Sequence, residues 1–123
     1  MMGSTDQAFA ALINDLDKRG LLEEILGIFG SEFGRTPRLN KFQGHDHWAH
    51  AFSLLFADPG VPGGQIIGAS DRDGGFVADK PYLLEDLAAT IYEKIRLDRG
   101  QPIYTASRPV FLAHDSKPIE GLM

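Results

Sequence analysis

The sequence predicts an α/β domain with a small, mostly parallel sheet flanked by about three helices. Three observations carry this. Apolar residues recur at helical spacing in three stretches. Between them lie short apolar runs bounded by glycine, which read as interior strands. Helical and strand patterns alternate along the chain, which is the order of an α/β unit.

The first helix is marked by Phe9, Leu12, Ile13 and Leu16, one apolar stripe. Ser4 followed three residues later by Gln7 has the form of a capping box, and Gly20 after Lys18 and Arg19 is a helix stop. Ile25-Leu26-Gly27-Ile28-Phe29 shows no alternation and reads as a buried, parallel strand. Residues 38–47 read as a loop. Trp48, Phe52, Leu55 and Phe56 then predict a second amphipathic helix with His47 and His50 near its start. Asp58-Pro59-Gly60-Val61-Pro62-Gly63-Gly64 is a turn-rich break, followed by a short strand over Gln65–Ala69. Asp71-Arg72-Asp73-Gly74-Gly75 is a hairpin turn; the glutamate that a calcium loop needs at its end is Tyr82 here. The third helix follows Pro81, lines one face with Leu84, Leu87, Ala88, Ile91, Tyr92 and Ile95, and ends near Asp98 to Gly100. Val110-Phe111-Leu112 reads as a last short strand. So small a sheet has exposed edges that something must cover, which points to a homodimer or to a fragment of a larger sheet.

The totals narrow the function. A chain of 123 residues fits one domain. With 12 lysines and arginines against 17 aspartates and glutamates, the net charge of −5 argues against nucleic-acid binding by phosphate neutralisation and against a polybasic membrane surface. No cysteine is present, so thiolate nucleophiles, disulfides and cysteine-based zinc sites are excluded. No apolar run approaches bilayer length, and the start lacks a basic region followed by an apolar stretch, so a soluble chain without a secretory signal is expected.

Three of the four histidines fall within six residues, in Gly44-His45-Asp46-His47-Trp48-Ala49-His50. Histidine and carboxylate are common ligands of divalent metals. His45 and His47 share a face in an extended segment, and His47 and His50 share one in a helix, so no single conformation aims all three at one point. Asp46 is equally well read as a helix N-cap, with the histidines capping or solvated. Trp48 reads as core. Upstream, Glu32, Arg35 and Thr36 follow a strand, where ligands gather in α/β sheets. Arg35 can fork onto a sulfate, phosphate or carboxylate, and Glu32 can serve as ligand or base; an internal Glu32–Arg35 pair that stiffens the loop explains the same residues. Arg38 and Lys41 extend this into a basic patch suited to an anionic substrate. No nucleophile elbow or phosphate-cradling glycine loop is present.

The run Ser31-Glu32-Phe33-Gly34-Arg35-Thr36-Pro37-Arg38-Leu39-Asn40, followed by Gly44-His45-Asp46-His47-Trp48, resembles the domain of unknown function 1501 family. Phe52–Ala57, Gly63–Asp71 and Asp86–Tyr92 resemble it too, so the likeness covers nearly the whole chain. It implies the C-terminal portion of an alkaline-phosphatase/sulfatase-like fold, and hence a fragment of a larger domain. It also implies a parent activity of metal-assisted sulfate or phosphate ester hydrolysis. Active members of that superfamily hold divalent metals with aspartates and histidines beside a nucleophile. That nucleophile comes from an N-terminal portion without counterpart here. The implied roles are His47 as metal ligand or transition-state acid, Asp46 and Glu32 as supporting metal ligands, and Arg35 as the grip on the ester. The metal would be zinc, calcium or manganese. Two positions depart from the superfamily pattern. An Asp-His metal pair is replaced by Glu32-Phe33, in which phenylalanine cannot ligate, and the usual arginine before the aspartate is His45. The alternative is a non-catalytic, degenerate module for anion binding or protein association, either as a homodimer or with the missing N-terminal portion.

Overall fold

The computed structural model describes residues 2–58, 60–113 and 115–123. The elements are α1 (Met2–Lys18), a 3-10 turn (Leu22–Glu24), β1 (Gly27–Gly30), β2 (Gly34–Arg35), β3 (His47–Trp48), β4 (Leu54–Ala57), β5 (Ala69–Ser70), β6 (Val77–Asp79), α2 (Leu84–Lys94), β7 (Ile103–Tyr104) and β8 (Pro109–Val110). The chain divides into two compact units, Met1–Gln65 and Ile66–Met123.

The expected parallel sheet is not formed. The strands make four separate two-stranded sheets, β1–β4, β2–β3, β5–β6 and β7–β8, and every pairing is antiparallel. Two α-helices are present among the described residues, not three. The helix expected from Trp48 to Phe56 is replaced by β3 and β4. Spacings of three and four residues between aromatics fit a helix, but a short apolar run also fits a strand, and here β4 has a ladder partner. With that helix gone, the reading of Asp46 as its N-cap falls too.

In the first unit, β1 and β4 pair in the register Gly27–Ala57, Ile28–Phe56, Phe29–Leu55 and Gly30–Leu54. Opposed residues share a face, so Phe29, Leu55, Gly27 and Ala57 line one side and Ile28, Phe56, Gly30 and Leu54 the other. Helix α1 packs on the first side. Its Phe9 ring lies 5.2 Å from that of Phe29. Gly27 leaves room for Ile13, whose Cδ1 lies 3.3 Å from where a Cβ would stand. Phe9, Ile13 and Leu16 of the expected stripe are half-buried, while Leu12 remains 52% exposed. The helix runs through Ser4, so that hydroxyl lies within the first turn and not ahead of it. Its end matches the sequence. Gly20 adopts φ +66°, with Leu21 N–H bonded to the Leu16 carbonyl and Gly20 N–H to that of Asp17, both at 2.9 Å. That is the Schellman arrangement. Every described residue of this unit keeps contact with solvent, so β1 is not the buried strand its composition implied.

The second unit opens with the expected hairpin. The Asp71 carboxylate accepts from the N–H groups of Gly75 (2.7 Å) and Phe76 (3.2 Å) and clamps the turn between β5 and β6. The strand expected over Gln65–Ala69 shrinks to Ala69–Ser70, and Ile66 is 93% exposed. Helix α2 starts as expected after Pro81. Asp86 accepts from Leu83 N–H at 2.9 Å, the carboxylate half of a capping box. It ends earlier than expected. Arg96 takes φ +58°, Leu97 N–H bonds the Tyr92 carbonyl (2.8 Å) and Arg96 N–H that of Glu93 (2.9 Å). This second Schellman turn is built on arginine. The C-terminal segment docks on α2 through Thr90, whose hydroxyl donates to the Asp86 carbonyl (2.7 Å) and accepts from Ile119 N–H (2.8 Å). Ala89, Thr90, Ile119 and Leu122 are buried here. The last strand is Pro109–Val110, paired with Ile103–Tyr104.

Candidate functional site

The Glu32–Asn40 and Gly44–His50 segments meet because β2 and β3 pair. Their register sets Gly34 opposite Trp48 and Arg35 opposite His47. Gly34 is needed for close approach: a Cβ there would collide with the carbonyl oxygen of Ala51.

Residues 36–46 close the hairpin with a dense set of local bonds. Thr36 N–H donates to the Asp46 carbonyl at 3.0 Å. The Thr36 hydroxyl accepts from Asp46 N–H (3.0 Å) and donates to the Arg38 carbonyl (3.0 Å). The Thr36 carbonyl is thereby left for His45 Nδ1, at 2.5 Å. Asn40 organises the loop tip. Its Oδ1 accepts from the N–H groups of Phe42 (2.9 Å) and Gly44 (3.1 Å), and its Nδ2 donates to Asp46 Oδ1 at 2.7 Å. These are turn-type side-chain bonds that asparagine and threonine make readily.

The frame presents Arg35 and His47 to solvent, both exposed and directly opposed. Both lean on one ring. The His47 imidazole lies 4.1 Å from the centre of Phe33, tilted by 32°, and the Arg35 guanidinium carbon lies 5.8 Å from the same centre. His50 meets the edge of Trp48, with centroids 4.6 Å apart. Of the wider basic patch, Lys41 rests over Phe42 at 5.0 Å and Arg38 is exposed.

The four residues read from the sequence therefore divide. Arg35 and His47 come together. Asp46 is adjacent in sequence but turns to Asn40. Glu32 is exposed on the segment entering β2. No group of three or more histidine, aspartate or glutamate side chains converges among the described residues. Asp46 keeps its Oδ1 on Asn40, while His47 stands exposed on β3. Chemically, the arrangement supplies a guanidinium fork and an imidazole N–H on one exposed face, which is hydrogen-bond equipment for an oxyanion.

Phe33 and Asn40 are the functional candidates that the residue-by-residue reading gave no role. Asn40 carries a readable signal, an asparagine in a loop of glycine and charge. Phe33 becomes readable only once the segment is taken as extended, because residues 33 and 35 then share a side.

The whole chain, residues 1–123, matches the family model described as "Protein of unknown function (DUF1501)". The chain belongs to that family. Neither the curated proteins nor the solved structures include a match to it. In this DUF1501 chain no helix among the described residues is long and apolar enough to cross a membrane.

Proposed function

We propose that this chain is the C-terminal portion of a domain of the alkaline-phosphatase/sulfatase-like superfamily, and that its own contribution is the grip on an anionic ester. The parent activity in this reading is hydrolysis of sulfate or phosphate esters. The fold does not carry the reading; the site does. The supporting observation is the cross-strand pair Arg35–His47, exposed and resting on Phe33. Arg35 forks onto two oxygens, and His47 donates an N–H to a third or passes a proton to the leaving oxygen. In this reading the nucleophile comes from the N-terminal portion of the parent domain. A divalent ion would need donors beyond His47, and no step is assigned to one.

The test is titration with inorganic sulfate and phosphate, followed by NMR of the Arg35 side chain and the His47 ring at constant ionic strength. We expect saturable shifts with dissociation constants on the order of millimolar, as befits an exposed two-point contact. They should be lost in Arg35→Ala and His47→Ala. Identical shifts with chloride, or unchanged binding in both variants, would reject the anion grip.

A second reading, a non-catalytic module for protein association, is favoured by the β1–β4 ribbon. It carries apolar side chains on both faces, has two open edges within its sheet, and leaves Ile28 and Leu55 exposed. A homodimer, or assembly with the N-terminal portion of the parent domain, would cover it. Sedimentation of the chain at rising concentration tests the homodimer.

A further inference from the structure

Phe33 stands between two residues of different chemistry and touches both. Its ring is half-buried, whereas Arg35 and His47 are exposed. Exposed arginine carries much rotamer freedom and holds no fixed direction without a second contact. A 4.1 Å ring contact fixes the imidazole plane, and a cation over the ring face restrains the guanidinium. The backbone register brings Arg35 and His47 opposite one another but leaves their long side chains unaligned. Their shared contact with Phe33 aligns them. The loop 36–46 is closed by its own hydrogen bonds and does not use Phe33, so the ring is available for this task.

We propose that Phe33 is a positioning residue that converts Arg35 and His47 from two independent donors into one preorganised clamp for a tetrahedral oxyanion, sulfate or phosphate. The proposal rests on the anion grip argued above and adds its cause. Preorganisation raises affinity by removing the entropy of aligning the donors on binding. The ring itself does not touch the anion. Its replacement must therefore act through the other two residues, and any flat aromatic side chain must do as well.

The experiment compares the full chain with Phe33→Leu, Phe33→Tyr and Arg35→Ala, using inorganic sulfate as probe. Two quantities are read: the dissociation constant, and the ring-current displacement of the His47 imidazole protons before sulfate is added. Backbone amide signals of Asp46 and Gly44 report whether the loop stays folded. The expected result is an upfield His47 signal in the parent chain and in Phe33→Tyr. It should be lost in Phe33→Leu, together with a roughly fivefold weaker sulfate affinity, as the loss of one aromatic contact and one cation–ring contact implies. Parent-level affinity in Phe33→Leu, with the parent chain binding sulfate and Arg35→Ala failing to, overturns the positioning role and leaves the anion grip standing. Equal weakening in Phe33→Leu and Phe33→Tyr also overturns it, because a flat aromatic ring at this position then fails to restore the clamp. No saturable binding by the parent chain, with Arg35→Ala indistinguishable from it, rejects the anion grip and the clamp together.

Discussion

Asn40 shows how much of the site hangs on single side chains. One carboxamide accepts two loop N–H groups and donates to Asp46. Replacing it with alanine leaves those groups to water and should cost about 1 kcal/mol per bond to the loop, less where solvent compensates. The expected outcome is broadened amide signals over residues 41–46, with α2 unaffected. Thr90 is the buried counterpart. Thr90→Val keeps the shape but leaves the buried Ile119 N–H without its acceptor, a loss of about 1–3 kcal/mol. Faster hydrogen exchange at Ile119, with α2 still helical, checks it. His47 meets a different test. Metal content of protein purified without a histidine tag, measured beside His47→Ala, decides whether this residue ligates. One zinc per chain, lost in His47→Ala, would put a metal at the site; no ion in either protein would leave the anion grip as its role.

Helices and strands differ in how readily the sequence disclosed them, and the reason is locality. Both α-helices follow from their apolar spacing, and α1 stops where Gly20 says it must. The end expected for α2, near Asp98 to Gly100, lies beyond the observed one at Lys94. The chain turns instead at Arg96, in a left-handed conformation that side chains dislike. Arg96→Gly should therefore stabilise the second unit by roughly 0.5–1 kcal/mol, read as a higher unfolding midpoint in denaturant. Strand partners were not legible, because pairing depends on distant residues that composition does not name. Ile25–Phe29 looks like an interior parallel strand, since it is apolar on both sides; its partner Leu54–Ala57 runs antiparallel and carries the aromatic spacing of a helix. The residue types of the two motif segments were legible, but their meeting was not, because it is itself a strand pairing, β2 with β3. Nor was the ring beneath Arg35 and His47, because Phe33 gained a role only through the register of β2 and β3.

At the scale of the molecule, the two units hold together by different means. The second has a small buried core of Ala89, Thr90, Ile119 and Leu122, pinned by polar bonds between α2 and the C-terminal segment. The first has no buried residue among those described, so its apolar contacts are all shared with water. Hydrogen exchange should reveal this as a wide spread, slowest at α2 and Ile119 and fast over α1 and β1–β4. A uniform rate across both units would refute it. The closure of β2 and β3 has a consequence in time. Its side-chain bonds span at most 10 residues, whereas the bond from Thr90 to Ile119 spans 29. Hairpins close in about 1–10 μs, far sooner than contacts between distant segments. The face bearing Arg35 and His47 is thus expected to take shape first, while a chain still being synthesised has yet to deliver its C-terminal segment. The one tryptophan, Trp48, sits in β3 itself, so its emission in a rapid-mixing experiment would time that event directly.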